Sequence, residues 1–389
     1  MSSEMSVGER YPDAEHLIAE VVAETGLEDF GPGDFRTGLA VFLESLRRDA
    51  GLAPSTDPLV VGDIRRRLTN RLLVVDWYAK HPQIDDLPVR GPIDINGLPR
   101  TGTTALANML SLDPQFRSLR GWEQKHPVPP PVLGQEDTDW RRQALIEENA
   151  NLPAELHAMH IYEVDATMED GETLGLSFQG QQFTLPVYGY HDWWRRNDMT
   201  DGFMYQRRTV KVLQSQRPPD LWLYKAPHHN FHLEALLAVY PDAKFVMTHR
   251  DPVKSVPSWA SIVSTIFPTS EQPFDLHRCG HEVSNHLRTG VEHAIEARAR
   301  IGEERFLDVY HHDLVRDPMT VVRRVYDWLG YELTPAAEET LRAWQAANGS
   351  DKHGNHRYTS EQFGLTAAQL RSDFRFYTDH FDVELEVDV

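Results

Sequence analysis

Apolar positions in the first 90 residues recur at helical spacing. Phe35, Leu39, Phe42, Leu43 and Leu46 share one helical face, and Ile64, Leu68, Leu72 and Val75 share another. Leu17, Ile18, Val21 and Val22 predict a shorter helix before them, with breaks at Gly31-Pro32-Gly33 and Ala53-Pro54-Ser55-Thr56. Residues 1–90 therefore read as a helical N-terminal cap. From about residue 91 the pattern becomes short apolar runs, each followed by a helix-period segment. Ile93 to Asn96 precedes a Gly-containing turn and a helix from about Thr103; Trp222 to Lys225 precedes a helix after His228. Phe245 to Thr248 runs into Arg250-Asp251-Pro252, and Phe306 to Tyr310 precedes a helix carrying Val321, Val322, Val325, Trp328 and Leu329. Strands alternating with helices predict an α/β fold over residues 91–389, a parallel sheet flanked by helices with ligand at the strands' carboxyl ends. Residues 121–220 form a long insert between core strands, expected to act as a lid or acceptor pocket.

Composition narrows the function. The chain has 389 residues, enough for a sizeable core, and 59 acidic against 39 basic residues give a formal charge of −20. Such a surface repels duplex nucleic acid, so no nucleic-acid partner is expected, and any anionic ligand needs basic residues gathered at one site. No apolar run of about 18 residues occurs, so no membrane span is predicted. The first residues lack a basic and then apolar leader, and Cys279 is the single cysteine; both fit a reducing, cytoplasmic setting.

The most informative stretch is Gly97-Leu98-Pro99-Arg100-Thr101-Gly102-Thr103-Thr104, between a strand and a helix. Its glycines are spaced as in a Walker A loop, whose backbone N–H groups and helix N-terminus face an anion. Thr103 occupies the Walker lysine position, and a basic residue appears instead within the loop, at Arg100. A second run, Arg250-Asp251-Pro252-Val253-Lys254-Ser255-Val256-Pro257-Ser258, also leaves the end of a strand. A guanidinium and a hydroxyl both donate to phosphate.

The first loop resembles the 5′-phosphosulfate-binding loop of sulfotransferases that use 3′-phosphoadenosine 5′-phosphosulfate (PAPS). The resemblance is nearest to the bacterial branch with Pro-Arg-Ser/Thr-Gly-Thr-Thr loops. It implies a P-loop-like sulfotransferase α/β domain over 91–389, with Arg100, Thr101, Gly102, Thr103 and Thr104 around the 5′-phosphosulfate. Arg250 and Ser258 match the spacing of the family's 3′-phosphate site. The segment Lys352 to Tyr358, with Lys352 and Arg357, stands where the family closes a basic loop over that phosphate. Cytosolic members carry a Trp near the adenine after the paired threonines; this chain has Ala105 there. The implied reaction is in-line sulfuryl transfer from PAPS to a hydroxyl or amine of a small-molecule acceptor. The rival readings are a P-loop small-molecule kinase with a degenerate Walker loop, and a nucleotide-binding protein without catalysis.

Sulfuryl transfer needs an acceptor proton removed and developing charge balanced. Arg100 and Lys225 are the expected charge-balancing groups, with no metal. Two residues compete as base. Glu123, in Gly121-Trp122-Glu123, lies where tyrosylprotein-type members carry a catalytic Glu. His228, in Lys225-Ala226-Pro227-His228-His229, stands one residue beyond the histidine of the cytosolic enzymes. His228 and His232 are four apart, as zinc ligands on a helix would be, but no Cys lies near and the H-E-x-x-H glutamate is missing. Trp193 and Trp194 are available to line an acceptor pocket or to pack.

Overall fold

Short β-rich runs pair in the computed structural model as one parallel sheet: β1 (Ile93–Gly97), β2 (Phe116–Ser118), β3 (Leu221–Lys225), β4 (Lys244–His249) and β5 (Phe306–Tyr310), in the order β2-β3-β1-β4-β5. The structure describes residues 10–151, 163–182, 184–267, 273–348 and 358–386. Four strands match the sequence reading to within a residue at either end, and β2 is an addition at the sheet edge. β1 is central: Ile95 is in register with Lys225 of β3 and with Val246 of β4. The chain leaves β1 toward β2 on one side and later crosses to β4 on the other. Ligand sites form at such a reversal, outside the carboxyl ends of the strands.

The two faces of the sheet differ. Ile93, Ile95, Leu223 and Val246 pack with Leu106 and Leu110 of helix Thr103–Leu110 and with Val321, Val322 and Val325 of helix Pro318–Leu329. Trp222, Tyr224, Phe245 and Met247 face the other layer, which includes helices Thr200–Gln214, Leu233–Val239 and Leu276–Ile301. Asp94 and Asn96 of β1 are also fully buried. A carboxylate in mid-sheet needs a partner, because an unpaired buried charge is costly. That partner lies in the functional site.

The first 90 residues form helices Ala14–Thr25, Phe35–Asp49 and Asp57–Lys80, with Asp13 and Asp34 side chains capping the first two. Leu39, Phe42, Ile64 and Leu68 share a core with Phe178, Tyr190, Trp194 and Phe203 of the long insert. Buried Arg71 ties the two by donating to Phe30 O, Leu176 O and Ser177 Oγ while its guanidinium lies 3.8 Å over Tyr205. Within the insert, the Glu-rich segment forms helix Trp140–Ala150, and Tyr188–Arg196 forms another. Among the described residues no helix is long and apolar enough to cross a membrane.

Candidate functional site

The loop after β1 is shaped by close approach. Gly97 has φ +111°, and a Cβ there would sit 2.3 Å from Thr248 O of β4. Arg100 and Gly102 also take positive φ, +66° and +94°, before the helix begins at Thr103. The result is a tight turn with helix N–H groups at its mouth, a geometry suited to an anion. Asn230 clamps the loop's base: its Oδ1 accepts from Gly97 N at 3.3 Å and its Nδ2 donates to Gly97 O at 3.0 Å. Thr101 turns inward, its hydroxyl donating to Leu98 O at 2.6 Å and lying 2.5 Å from Thr248 Oγ1. Thr101 is thus fully buried and braces the loop from within, while Thr103 and Thr104 open the helix.

The second motif converges on the first. Asp251 caps helix Pro252–Ile266 by accepting from Val253 N at 2.9 Å. Ser258, two turns along, accepts from Arg100 Nε at 3.2 Å, and Arg250 Nη1 donates to Arg100 O at 3.0 Å. Two guanidiniums and a hydroxyl from distant sequence positions therefore meet at the ends of β1 and β4. The Arg100 pKa is lowered, first by the protein around it and also by the neighbouring Arg250 cation. A cleft of about 570 Å³ lies beside them, lined by His249, Arg250, Lys254, Tyr310, His311 and Glu386 among others. Burial first, then the Arg250 charge, pushes His311 down to about 4. Lys352 and Arg357 lie outside the described residues.

The end of β3 carries the remaining candidates. Lys225 is buried, with Nζ 3.0 Å from Glu169 Oε1 of the insert. Pro227–Phe231 is a 3-10 turn rather than the start of an α-helix, and helix Leu233–Val239 follows it. His228 and His232 therefore do not share an α-helical face. The turn sends its two histidines in different directions. His229 Nδ1 lies 2.8 Å from Asp94 Oδ1 and its Nε2 2.9 Å from Asp170 Oδ2. Burial alone would lower the His229 pKa, but the two carboxylates outweigh it and hold the ring up at about 10. Asp170 is correspondingly held well below the usual carboxylate range, against the opposing effect of its burial. This ion triad neutralises the buried Asp94.

His228 Nε2 comes within 3.2 Å of the other Asp170 oxygen, and among the described residues neither of its ring nitrogens has a hydrogen-bond partner. Asp170, His228 and His229 bring one ligand atom each within 4.8 Å of one another. With a carboxylate at each nitrogen, His229 is set up as a double proton donor rather than a metal ligand. Trp194 is fully buried, donates to Gln179 O at 2.8 Å and meets His232 edge-on at 4.6 Å; Trp193 packs beside Tyr190.

Glu123 has partners of its own. It is fully enclosed, with Oε2 2.7 Å from Arg117 Nη2 and Oε1 accepting from Arg120 N at the start of helix Gly121–Lys125. The acidic pair Glu169 and Asp170 had no motif or periodicity to announce it. Backbone bonds hold the segment before it, from Thr167 N to Asn108 Oδ1 at 2.8 Å and from Met168 N to Leu119 O at 2.9 Å.

The profile of the sulfotransferase family matches residues 92–335. Sulfotransferase STF9 from Mycobacterium avium superposes with a TM-score of 0.89 at 33% identity, over 98% of this chain and 99% of that one. Sulfotransferase STF1 from Mycobacterium tuberculosis H37Rv gives 0.81 at 27% identity, over 93% and 98%. A Mycobacterium bovis protein named omega-hydroxy-beta-dihydromenaquinone-9 sulfotransferase Stf3 is 28% identical over 142 residues, 36% of this chain and 36% of that relative. The match to this curated relative thus spans about a third of its length.

Proposed function

Because this chain belongs to the sulfotransferase family, we propose that it moves a sulfuryl group from PAPS to a hydroxyl of a small-molecule acceptor. The observation that carries the reading is the meeting of the two nucleotide motifs, with Arg100 Nε 3.2 Å from Ser258 Oγ. The residues fit the donor. Positive-φ glycines open the loop to a 5′-phosphosulfate, and Arg250 and Ser258 carry the guanidinium and hydroxyl donors that suit a 3′-phosphate. The relative named for a hydroxylated menaquinone favours a hydroxyl over an amine as acceptor.

The donor supplies the sulfuryl group: its S–O bond to the 5′-phosphate breaks as the acceptor oxygen bonds to sulfur, leaving adenosine 3′,5′-bisphosphate. Arg100 and the loop amides balance the charge that spreads onto the bridging oxygen, and buried Lys225 adds its field without contact. The proton of the acceptor hydroxyl goes to Glu169. Glu123 and His228, the two bases expected from the sequence, are fully and nearly fully enclosed, whereas the Glu169 side chain keeps 20% of its surface open beside Lys225. A base must touch the hydroxyl it deprotonates. Asp170 and His229 fix the end of this segment against β1.

Calorimetric titration with adenosine 3′,5′-bisphosphate, against AMP and ATP·Mg²⁺, tests the donor. Micromolar binding that depends on the 3′-phosphate is expected. Preference for ATP·Mg²⁺ would overturn the reading in favour of a kinase.

A further inference from the structure

Arg250 has each of its three guanidinium nitrogens engaged inside the chain. Nε donates to Glu386 Oε1 at 2.7 Å, Nη2 donates to Glu386 Oε2 at 3.2 Å, and Nη1 donates to Arg100 O at 3.0 Å. The Glu386 carboxylate thus grips the guanidinium by the fork that a phosphate would use. Its segment is held in register. Glu386 N donates to Asp251 Oδ2 at 2.8 Å, and Arg371 Nη2 donates to Glu386 O at 3.3 Å. Upstream, Tyr310 OH donates to Phe381 O at 2.8 Å and Val383 is buried against the core. Asp251 is also the cap of the helix that presents Ser258, so one residue anchors both the phosphate helix and the segment lying over it.

The contact is local and reversible in character. Arg250 and Glu386 side chains are 22% and 35% exposed, so a dissolved anion can reach the pair. Val383, Glu384, Leu385 and Glu386 line the same cleft as Lys254, Tyr310 and His311. The guanidinium edge formed by Nε and Nη2 cannot serve Glu386 and a phosphate at once. One anion has to leave before the other binds.

We propose that Glu386 is a built-in competitor for the nucleotide: its carboxylate occupies the phosphate-facing edge of Arg250, and a 3′-phosphate binds by displacing it together with the segment Val383–Glu386. This rests on the reading of Arg250 as the 3′-phosphate residue. Nucleotides that lack the 3′-phosphate do not compete with Glu386, so the device sharpens discrimination at the cost of affinity. It also makes donor binding and movement of this segment one event.

The test is calorimetric titration of the full chain and of Glu386→Gln with adenosine 3′,5′-bisphosphate and with AMP, alongside Arg250→Ala. Glu386→Gln keeps the size and backbone of the residue and removes its charge. We expect it to bind the bisphosphate about three- to tenfold more tightly, the scale of a partly exposed bidentate ion pair, with AMP affinity unchanged. Unchanged or weaker bisphosphate binding by Glu386→Gln, with Arg250→Ala still losing discrimination between the two ligands, would overturn the competitor and leave the phosphate site standing. If Arg250→Ala binds both ligands as the parent does, the phosphate reading itself falls, and the competitor with it. Amide hydrogen exchange gives an independent readout. Bisphosphate is expected to speed exchange at Glu386, whose N–H is bonded to Asp251; slower exchange there would mean the segment clamps down on the nucleotide and would overturn displacement.

Discussion

The Asp94–His229–Asp170 bridge makes a prediction whose size follows from its geometry. His229 is 1% exposed and sits between two carboxylates at 2.8 and 2.9 Å, with its pKa at about 10 instead of 6.5. That rise corresponds to about 5 kcal/mol of stabilisation of the charged ring relative to the unfolded chain. Between these two pH values the folded chain keeps a proton on His229 that the unfolded chain has released. Raising the pH therefore favours unfolding by about 1.4 kcal/mol per pH unit. The contribution is complete below about pH 6.5 and lost by about pH 10. The comparison protein is the triple substitution His229→Gln, Asp94→Asn, Asp170→Asn, in which no titrating group remains at the bridge. Urea unfolding of the two proteins at pH 7, 8 and 9, each carrying His228→Gln because His228 touches Asp170, measures the difference, since the titrations away from the bridge are shared. The parent's stability relative to the triple variant is expected to fall by about 1.4 kcal/mol at each step. The single substitution His229→Gln, which strands two buried carboxylates, is expected to cost about 3–5 kcal/mol at pH 7. A parent-to-triple difference that stays level from pH 7 to 9 would refute the doubly protonated His229 and the reasoning built on it.

Other outcomes follow from the site. Arg250→Ala should weaken binding of adenosine 3′,5′-bisphosphate by about 1.5–3 kcal/mol, the scale of charged hydrogen bonds, and leave AMP little changed; calorimetry reads both. Glu169→Gln should lower turnover about 10²–10⁴-fold with bisphosphate affinity preserved. Glu123→Gln should instead lower stability by about 3 kcal/mol, because Arg117 is left buried without its counter-charge; a large loss of turnover in a stable Glu123→Gln protein would return the base to that residue. Gly97→Ala should destabilise by about 2 kcal/mol or more through the contact with Thr248 O. Gly134→Ala, also at positive φ (+78°) but with nothing among the described residues within 4 Å of its new Cβ, should cost no more than about 1 kcal/mol; thermal midpoints compare the two.

Much of this fold was legible because local pattern and tertiary position agree. The apolar runs that became β1, β3, β4 and β5 are buried in a parallel sheet, where continuous apolar stretches are the rule. β2 was invisible: three residues long, with Arg117 in its middle, it has neither length nor alternation. At the site, glycine spacing marked the loop because only glycine tolerates the approach of Thr248 to Gly97. The partners of the marked residues were hidden for a different reason. Glu169 meets Lys225 from 56 positions away, and Glu386 meets Arg250 from 136; no periodicity links residues so far apart. The two histidines show the same limit at short range. Adjacent in sequence, they differ in role because Pro227 starts a 3-10 turn that aims His229 at β1 and leaves His228 unbonded among the described residues.

The cations of this site share one arrangement. Lys225 faces Glu169, Arg250 faces Glu386, and the His229 imidazolium faces Asp94 and Asp170. In a chain of net charge −20 carboxylates are plentiful, yet these pairs answer a local need. A cation held near the low-dielectric floor of a cleft is costly when alone. A pocket that gathers cations for a polyanion therefore gains from carboxylates stored beside its buried ones until the polyanion arrives. Binding then becomes an exchange of one anion for another, and its free energy is the difference between two similar interactions. Where the stored carboxylate is fully buried, as with Asp94 and Asp170, the exchange cannot occur and the pair is architectural. Where it reaches solvent, as with Glu169 and Glu386, the carboxylate is free to exchange, and on the proposed function those two positions would couple ligand binding to proton transfer and to segment motion.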